Sequence, residues 1–170
     1  QGLADQNDDA ADHCVHLSPD LTARLTTLAQ QYRVTPNTFV QGAWAILLAY
    51  YSGERDVLFG VTVAGRPTQL LGVESVLGLF INTLPLRVSV SPERPVLAWL
   101  KDLLAENIRL REYEYTPLIQ IQRCSEIPRG EALFHSLFVF ENAPVDPALC
   151  EGRIMFRAEE EQYRVHTNYP

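Results

Sequence analysis

Lysine is almost absent from this sequence, with Lys101 standing alone among 170 residues, and the formal net charge is -7. Phosphate binding relies on clustered Lys and Arg, so this balance argues against a nucleic-acid partner. Cysteine is scarce too. Cys14, Cys124 and Cys150 are odd in number and widely spaced, which is neither a disulfide framework nor a metal pattern, and a reducing, cytoplasmic setting is expected. No closely spaced glycines precede a helix as phosphate-cradling loops require. A membrane span needs about 20 mostly apolar residues. The most apolar stretch, "TPNTFVQGAWAILLAYYSG", is shorter, interrupted by Gln41 and Gly42, and closed by Gly53, so no membrane partner is expected. There is no internal repeat and no low-complexity tract. Residues 1–14 hold Asp5, Asp8, Asp9 and Asp12 and read as a loose acidic lead-in, unlike a signal or transit peptide.

With 46% apolar and 21% charged residues, the chain has the composition of one globular domain. "LSPDLTARLTTLAQQY" predicts a helix capped by Ser18 with Pro19 in its first position, and Leu21, Leu25, Leu28 and Tyr32 at helical spacing. Thr35 and Pro36 repeat that start signal. The helix they open carries Phe39, Val40, Trp44, Ile46, Leu47, Leu48, Tyr50 and Tyr51 on almost every face and is expected to be buried. "DVLFGVTVAG" predicts an interior strand. In "TLPLRVSV" Leu84, Leu86, Val88 and Val90 alternate with outward residues, and Pro85 restricts that strand to a start, a bulge or an edge. "RPVLAWLKDLLAENIRLREYEY" predicts a long helix with Val96, Leu97, Leu100, Leu103, Leu104 and Ile108 on one stripe, and "PLIQIQR" a short one. "LFHSLFVFEN" and "GRIMFRAEEEQYRVHTNYP" read as strands. The sum is an α/β sandwich lobe, a sheet carrying helices on at least one face.

Chemistry is harder to find. "HCVH" brings His13, Cys14 and His16 together, but no further Cys or His pair completes a tetrahedral metal set, and a strand with alternating side chains is the simpler expectation. His135, between Phe134 and Ser136, is expected to be a packed or hydrogen-bonded strand imidazole. The run Glu159 to Glu161 reads as a solvated face. No nucleophile, base and orienting acid assemble at a recognisable spacing.

The segment "SGERDVLFGVTVAGRPTQLLGVESVLGLFINTLPLRV" resembles the C-terminal half of the condensation domains of non-ribosomal peptide synthetases. The family pattern G-x-F-[IV]-N-T-x-x-x-R is met by Gly78, Phe80, Ile81, Asn82, Thr83 and Arg87. "REYEYTPLIQIQR", with Pro117, resembles the next family segment. "EIPRGEALFHSLFVFENAP", with Arg129 and the strand around Phe138, resembles the last. The resemblance runs over residues 15–170. Ala64 stands where the family has serine, and Tyr113, Glu114, Tyr115 and Thr116 replace its usual polar residues before the proline. The family's catalytic H-H-x-x-x-D-G motif has no counterpart, which implies the C-terminal lobe without its N-terminal lobe.

The resemblance implies a chloramphenicol-acetyltransferase-like fold, with a mixed sheet packed against helices. It also implies a place in multimodular secondary-metabolite biosynthesis, where the whole domain joins a carrier-bound acyl or peptidyl thioester to a carrier-bound aminoacyl amine. The implied partners are the N-terminal lobe, upstream and downstream carrier domains and an adjacent adenylation domain. No cofactor would be bound directly, since 4'-phosphopantetheine arrives on the carriers. Asn82, Thr83, Arg66, Gly78 and Phe80 become candidates for the tunnel wall or lobe interface, and Arg87, Pro117, Arg129 and Phe138 for structural motif positions. No catalytic residue is assigned. Asn82 keeps two readings: an uncharged amide that orients a thioester, an amide product or a neighbouring loop, and a bridge to backbone at the strand start. Arg66 would fasten its loop by an ion pair. Two further possibilities are a non-catalytic module that binds carriers or the N-lobe, and a lobe of the related epimerisation domain. An isolated lobe with an apolar wall is expected to self-associate or bind its N-lobe.

Overall fold

The computed structural model describes residues 13–64, 76–128 and 130–141. Helix α1, Pro19–Tyr32, begins where Ser18 Oγ accepts the Leu21 N–H at 3.2 Å. Its end is a left-handed Arg33 (φ 56°), after which the Val34 N–H donates back to the Ala29 carbonyl at 3.0 Å. Helix α2, Pro36–Ser52, starts in the same manner, with Thr35 Oγ1 accepting the Thr38 N–H at 3.1 Å. In both, proline takes the first turn, where its missing N–H costs no helical bond.

Strand β1, Asp56–Val63, pairs antiparallel with β2, Asn82–Ser89, placing Phe59 opposite Leu86 and Val61 opposite Leu84. Strand β3, Leu137–Phe138, runs parallel to β1 at Gly60 and Val61. The order β2-β1-β3 makes a mixed sheet with β1 central among the described strands and Pro85 on the edge strand. Gly60 permits the close approach of the third strand. Its N–H donates to the Ser136 carbonyl at 2.9 Å, and a Cβ there would lie 2.4 Å from Phe134 Cε2.

Helix α3, Val96–Leu110, continues into a 3-10 turn, Arg111–Tyr113, and α4 follows at Leu118–Arg123. The core lies between sheet and helices: Val57, Phe59 and Val61 of β1 and Leu84, Leu86 and Val88 of β2 meet Trp99, Leu100 and Leu103 of α3. Trp99 buries its ring and donates its indole N–H to the Ser89 carbonyl at 2.8 Å, so no polar group is stranded there.

Several expectations are corrected by this packing. Helix α2 is not buried all round. Its covered residues are Thr38, Gln41, Gly42 and Ala45, whereas Val40, Ile46, Leu47, Tyr50 and Tyr51 are exposed. The reason is the crossing with α3: a Cβ on Gly42 would sit 2.8 Å from Leu100 Cδ2, and Gln41 Oε1 accepts a hydrogen bond from Asn107 Nδ2 at 2.8 Å. Gly42 and Gln41 meet α3, Phe39, Trp44 and Leu48 pack partly buried against the core, and the rest of the helix's bulk faces away. In α1, Leu21 and Leu28 are at the surface, and the buried residue is Ala29. On α3, Val96 and Ile108 are exposed and Trp99 takes a core place, because the sheet lies under only part of the expected stripe. His135 is exposed and precedes β3 instead of packing within a strand; it follows the buried Phe134. Around His13 to His16 the chain is irregular and exposed, with Cys14 Sγ 3.4 Å from His16 Nε2. The strand expected over "LFHSLFVFEN" is confined to Leu137–Phe138 among the described residues. Residues 1–12, Arg66, Arg129 and the run "GRIMFRAEEEQYRVHTNYP" lie outside the described residues. No described helix is long and apolar enough to cross a membrane.

Candidate functional site

The residues singled out in the sequence converge on the start of β2. Upstream, residues 76–81 run without regular structure, and Leu77, Leu79 and Ile81 are 99%, 88% and 61% exposed. Gly78, at a bend, and the half-buried Phe80 separate these three exposed side chains. They form a strip of apolar side chains facing water.

Asn82 opens β2 at the end of that strip. Its Nδ2 donates to the Glu114 carbonyl at 2.8 Å and to the Thr116 carbonyl at 3.0 Å, and its Oδ1 accepts the Thr83 N–H at 2.9 Å. Both amide hydrogens are therefore held by the turn between α3 and α4. That describes a bridge to backbone and leaves no free Nδ2–H for a second partner. Thr83 is half-buried opposite Thr62. Pro117 sits at the N-cap position of α4 (φ -59°, ψ 137°), and its carbonyl accepts the Gln120 N–H at 2.8 Å.

The sequence gives no sign of the Glu114 and Thr116 carbonyls as partners. Backbone acceptors have no residue-type signature, and only the chain reversal before Pro117 hints at carbonyls lacking helical donors.

Arg87 lies on the outer face of β2. Its Nε donates to Asp56 Oδ1 and Oδ2, each at 3.0 Å, and its Nη2 to Oδ2 at 2.5 Å, a forked pair across the two strands. The Arg87 hydrogen bonds hold the Asp56 carboxyl below the usual aspartate range. Phe138 stands beside Phe59, their ring centres 6.3 Å apart.

Two concavities border this region. An apolar one of about 390 Å³ lies between Leu84 and Pro85 of β2, Leu110 and Tyr113 at the end of α3, and Ile121 and Cys124 at α4. A longer groove of about 690 Å³ follows β2 and α3, and its charges neutralise one another: Arg87 with Asp56, Arg94 with Asp102, Arg109 with Glu106. Among the described residues no three His, Cys, Asp or Glu side chains gather into a metal-binding group. His13, His16 and His135 are all exposed and lie outside the groupings just described. The arrangement offers apolar surface and fixed backbone direction.

Comparison with known proteins places these features. The model of a family described as the condensation domain matches residues 2–168. A linear gramicidin synthase protein of Brevibacillus parabrevis is 50% identical over 154 residues, covering 91% of this chain and 3% of that protein. Chondramide synthase of Chondromyces crocatus is 50% identical over 139 residues, covering 82% of this chain and 4% of that protein. Among solved structures, the condensation domain of a monacolin K polyketide synthase superposes with a TM-score of 0.62 at 21% identity, over 72% of this chain and 29% of that one. The starter condensation domain of rhizomide synthetase, solved in complex with C8-CoA, superposes with a TM-score of 0.54 at 25% identity, over 61% and 23%. The fold is thus the chloramphenicol-acetyltransferase-like α/β sandwich, and the chain spans only a few per cent of the synthetases it matches.

Proposed function

This chain belongs to the condensation-domain family, and on that premise we propose that it is the C-terminal lobe of such a domain in a non-ribosomal peptide synthetase. The complete domain would form an amide between a carrier-bound acyl or peptidyl thioester and a carrier-bound aminoacyl amine. The strip Leu77, Leu79 and Ile81 carries this reading: three large apolar side chains, 61% or more exposed, sit inside the segment that bears the family pattern. Apolar surface displayed in this way marks a face made to be covered. The N-terminal lobe is its proposed cover, and the outer side of α2, with Ile46, Leu47, Tyr50 and Tyr51, extends the apolar surface elsewhere on the lobe.

In this division of labour the present lobe supplies orientation. An amine attacking a thioester gains most from being held in line with the carbonyl and from help with the proton it loses. The first can come from a wall with fixed backbone, such as the start of β2 tied to the α3–α4 turn. The second would come from the histidine motif of the other lobe. The phosphopantetheine arms of carrier domains would supply the thioesters. Thr83, Gly78, Phe80 and Arg66 are proposed to lie along the tunnel wall or lobe interface, and Arg87, Pro117, Arg129 and Phe138 to maintain the lobe's shape.

Joining this chain to its N-terminal half, with donor and acceptor carriers loaded, tests the reading. Amide product that depends on both halves is the expected result. Binding of carriers or of the N-terminal half without any product would instead make this a non-catalytic interaction module, and racemised aminoacyl thioester would make it an epimerisation lobe.

A further inference from the structure

We infer that Asn82 is a positioning residue, which sets the direction of the apolar strip 76–81 by clasping the α3–α4 turn, and that it does not contact substrate. The inference rests on the lobe reading above. The clasp joins segments 32 and 34 residues apart: Asn82 Nδ2 donates to the Glu114 and Thr116 carbonyls, while Oδ1 holds the Thr83 N–H. The turn has its own bonds, from the Glu114 N–H to the Arg111 carbonyl and from the Thr116 N–H to the Tyr113 carbonyl. Pro117 then follows, with no N–H to offer. The clasp therefore provides donors to two carbonyls where the helical ladder stops.

Few side chains could replace it. Two donors on one neutral nitrogen, with an acceptor beside them, are found only in a carboxamide, and Gln is one methylene longer. Asp has nearly the same shape but would point oxygen lone pairs at two carbonyl oxygens. The consequence for the strip is mechanical. Ile81 is bonded covalently to Asn82, so the direction in which Ile81, Leu79 and Leu77 leave the sheet is tied through Asn82 to the start of α4.

The test uses the two-lobe protein with loaded carriers. For Asn82→Asp and the milder Asn82→Ala, amide formation is measured across pH and acceptor concentration, and backbone hydrogen exchange is followed over residues 76–83 and 113–118. Asn82→Asp should lose about 100-fold in kcat, the scale of a displaced wall, with the acceptor KM changed less than about 2-fold. A carboxyl facing two carbonyl oxygens titrates above its ordinary range, and once protonated it can donate one bond. The ratio of Asn82→Asp to wild-type activity should therefore climb as pH falls, while the ratio for Asn82→Ala stays flat. Exchange should quicken in both segments in both variants at neutral pH. Wild-type kcat in Asn82→Ala, or identical pH profiles for the two variants, would overturn the inference. So would lost activity with unchanged exchange, which would mark Asn82 as a substrate contact. A wild-type protein that makes no amide would instead overturn the function reading, and the exchange data would still decide whether the clasp orders the strip.

Discussion

Residues 76–81 and 82–89 are neighbours, each with an aliphatic side chain at every second position, and they have opposite fates. Leu77, Leu79 and Ile81 are 99%, 88% and 61% exposed, whereas Leu84, Leu86 and Val88 are 0%, 3% and 4% exposed. The change falls at Asn82. Downstream of it, β1 supplies hydrogen bonds on one side and α3 covers one face. Upstream, neither continues among the described residues. Alternation therefore specifies which side chains go together, and cover must come from elsewhere in space.

The comparison can be broken most severely at its buried end. Leu84→Ala should cost about 3 kcal/mol in denaturant unfolding, the usual range for a filled core site emptied of a Leu side chain. Leu79→Ala, chemically the same change, should stay within about 0.5 kcal/mol. A comparable cost at both sites would show that the strip is already packed within this lobe.

Gly60→Ala adds a carbon where Phe134 Cε2 is only 2.4 Å away. The ring would have to move, at about 1–3 kcal/mol, and a crystal structure or aromatic NMR of the variant would show the displaced Phe134. The exposed end is sharpened by the double change Leu77→Ser with Leu79→Ser. Folding stability should hold within about 0.5 kcal/mol, while affinity for the N-terminal half, read by sedimentation, should fall at least about 10-fold.

The smallest effect is electrostatic and lies on the outer face of β2. Asp56 has its carboxyl held low by the Arg87 hydrogen bonds. A carboxylate lowered in the folded state contributes stability above its unfolded value, about 3.9, and loses it as pH falls through the lower folded value. Arg87→Ala should flatten the decline in melting temperature below about pH 4. At neutral pH it should change the melting temperature by less than about 3 °C, less still in high salt, since both side chains face water.

The readable parts of the fold are those with local causes. Ser18 with Pro19 and Thr35 with Pro36 mark helix starts that the cap hydrogen bonds reproduce. "DVLFGVTV" is the central strand among those described, and "NTLPLRVS" is a strand whose inward Leu84, Leu86 and Val88 match the alternation. What misleads is burial inferred from composition. Gln41 and Gly42 look like interruptions of an apolar helix, yet they form its buried side, because a close helix crossing selects small residues and a paired amide over bulk. At the candidate site, the pattern around Asn82 is visible in one dimension, and the Glu114 and Thr116 carbonyls it holds are not.

By itself the sequence determined the helix starts, the strand alternation and the family, since caps, proline restrictions and side-chain order act within a few residues of chain. Only the tertiary structure decided which apolar rows are covered and what Asn82 grips. Those depend on backbone brought together from 32 and 34 residues away, and carbonyl acceptors are the same in every residue type.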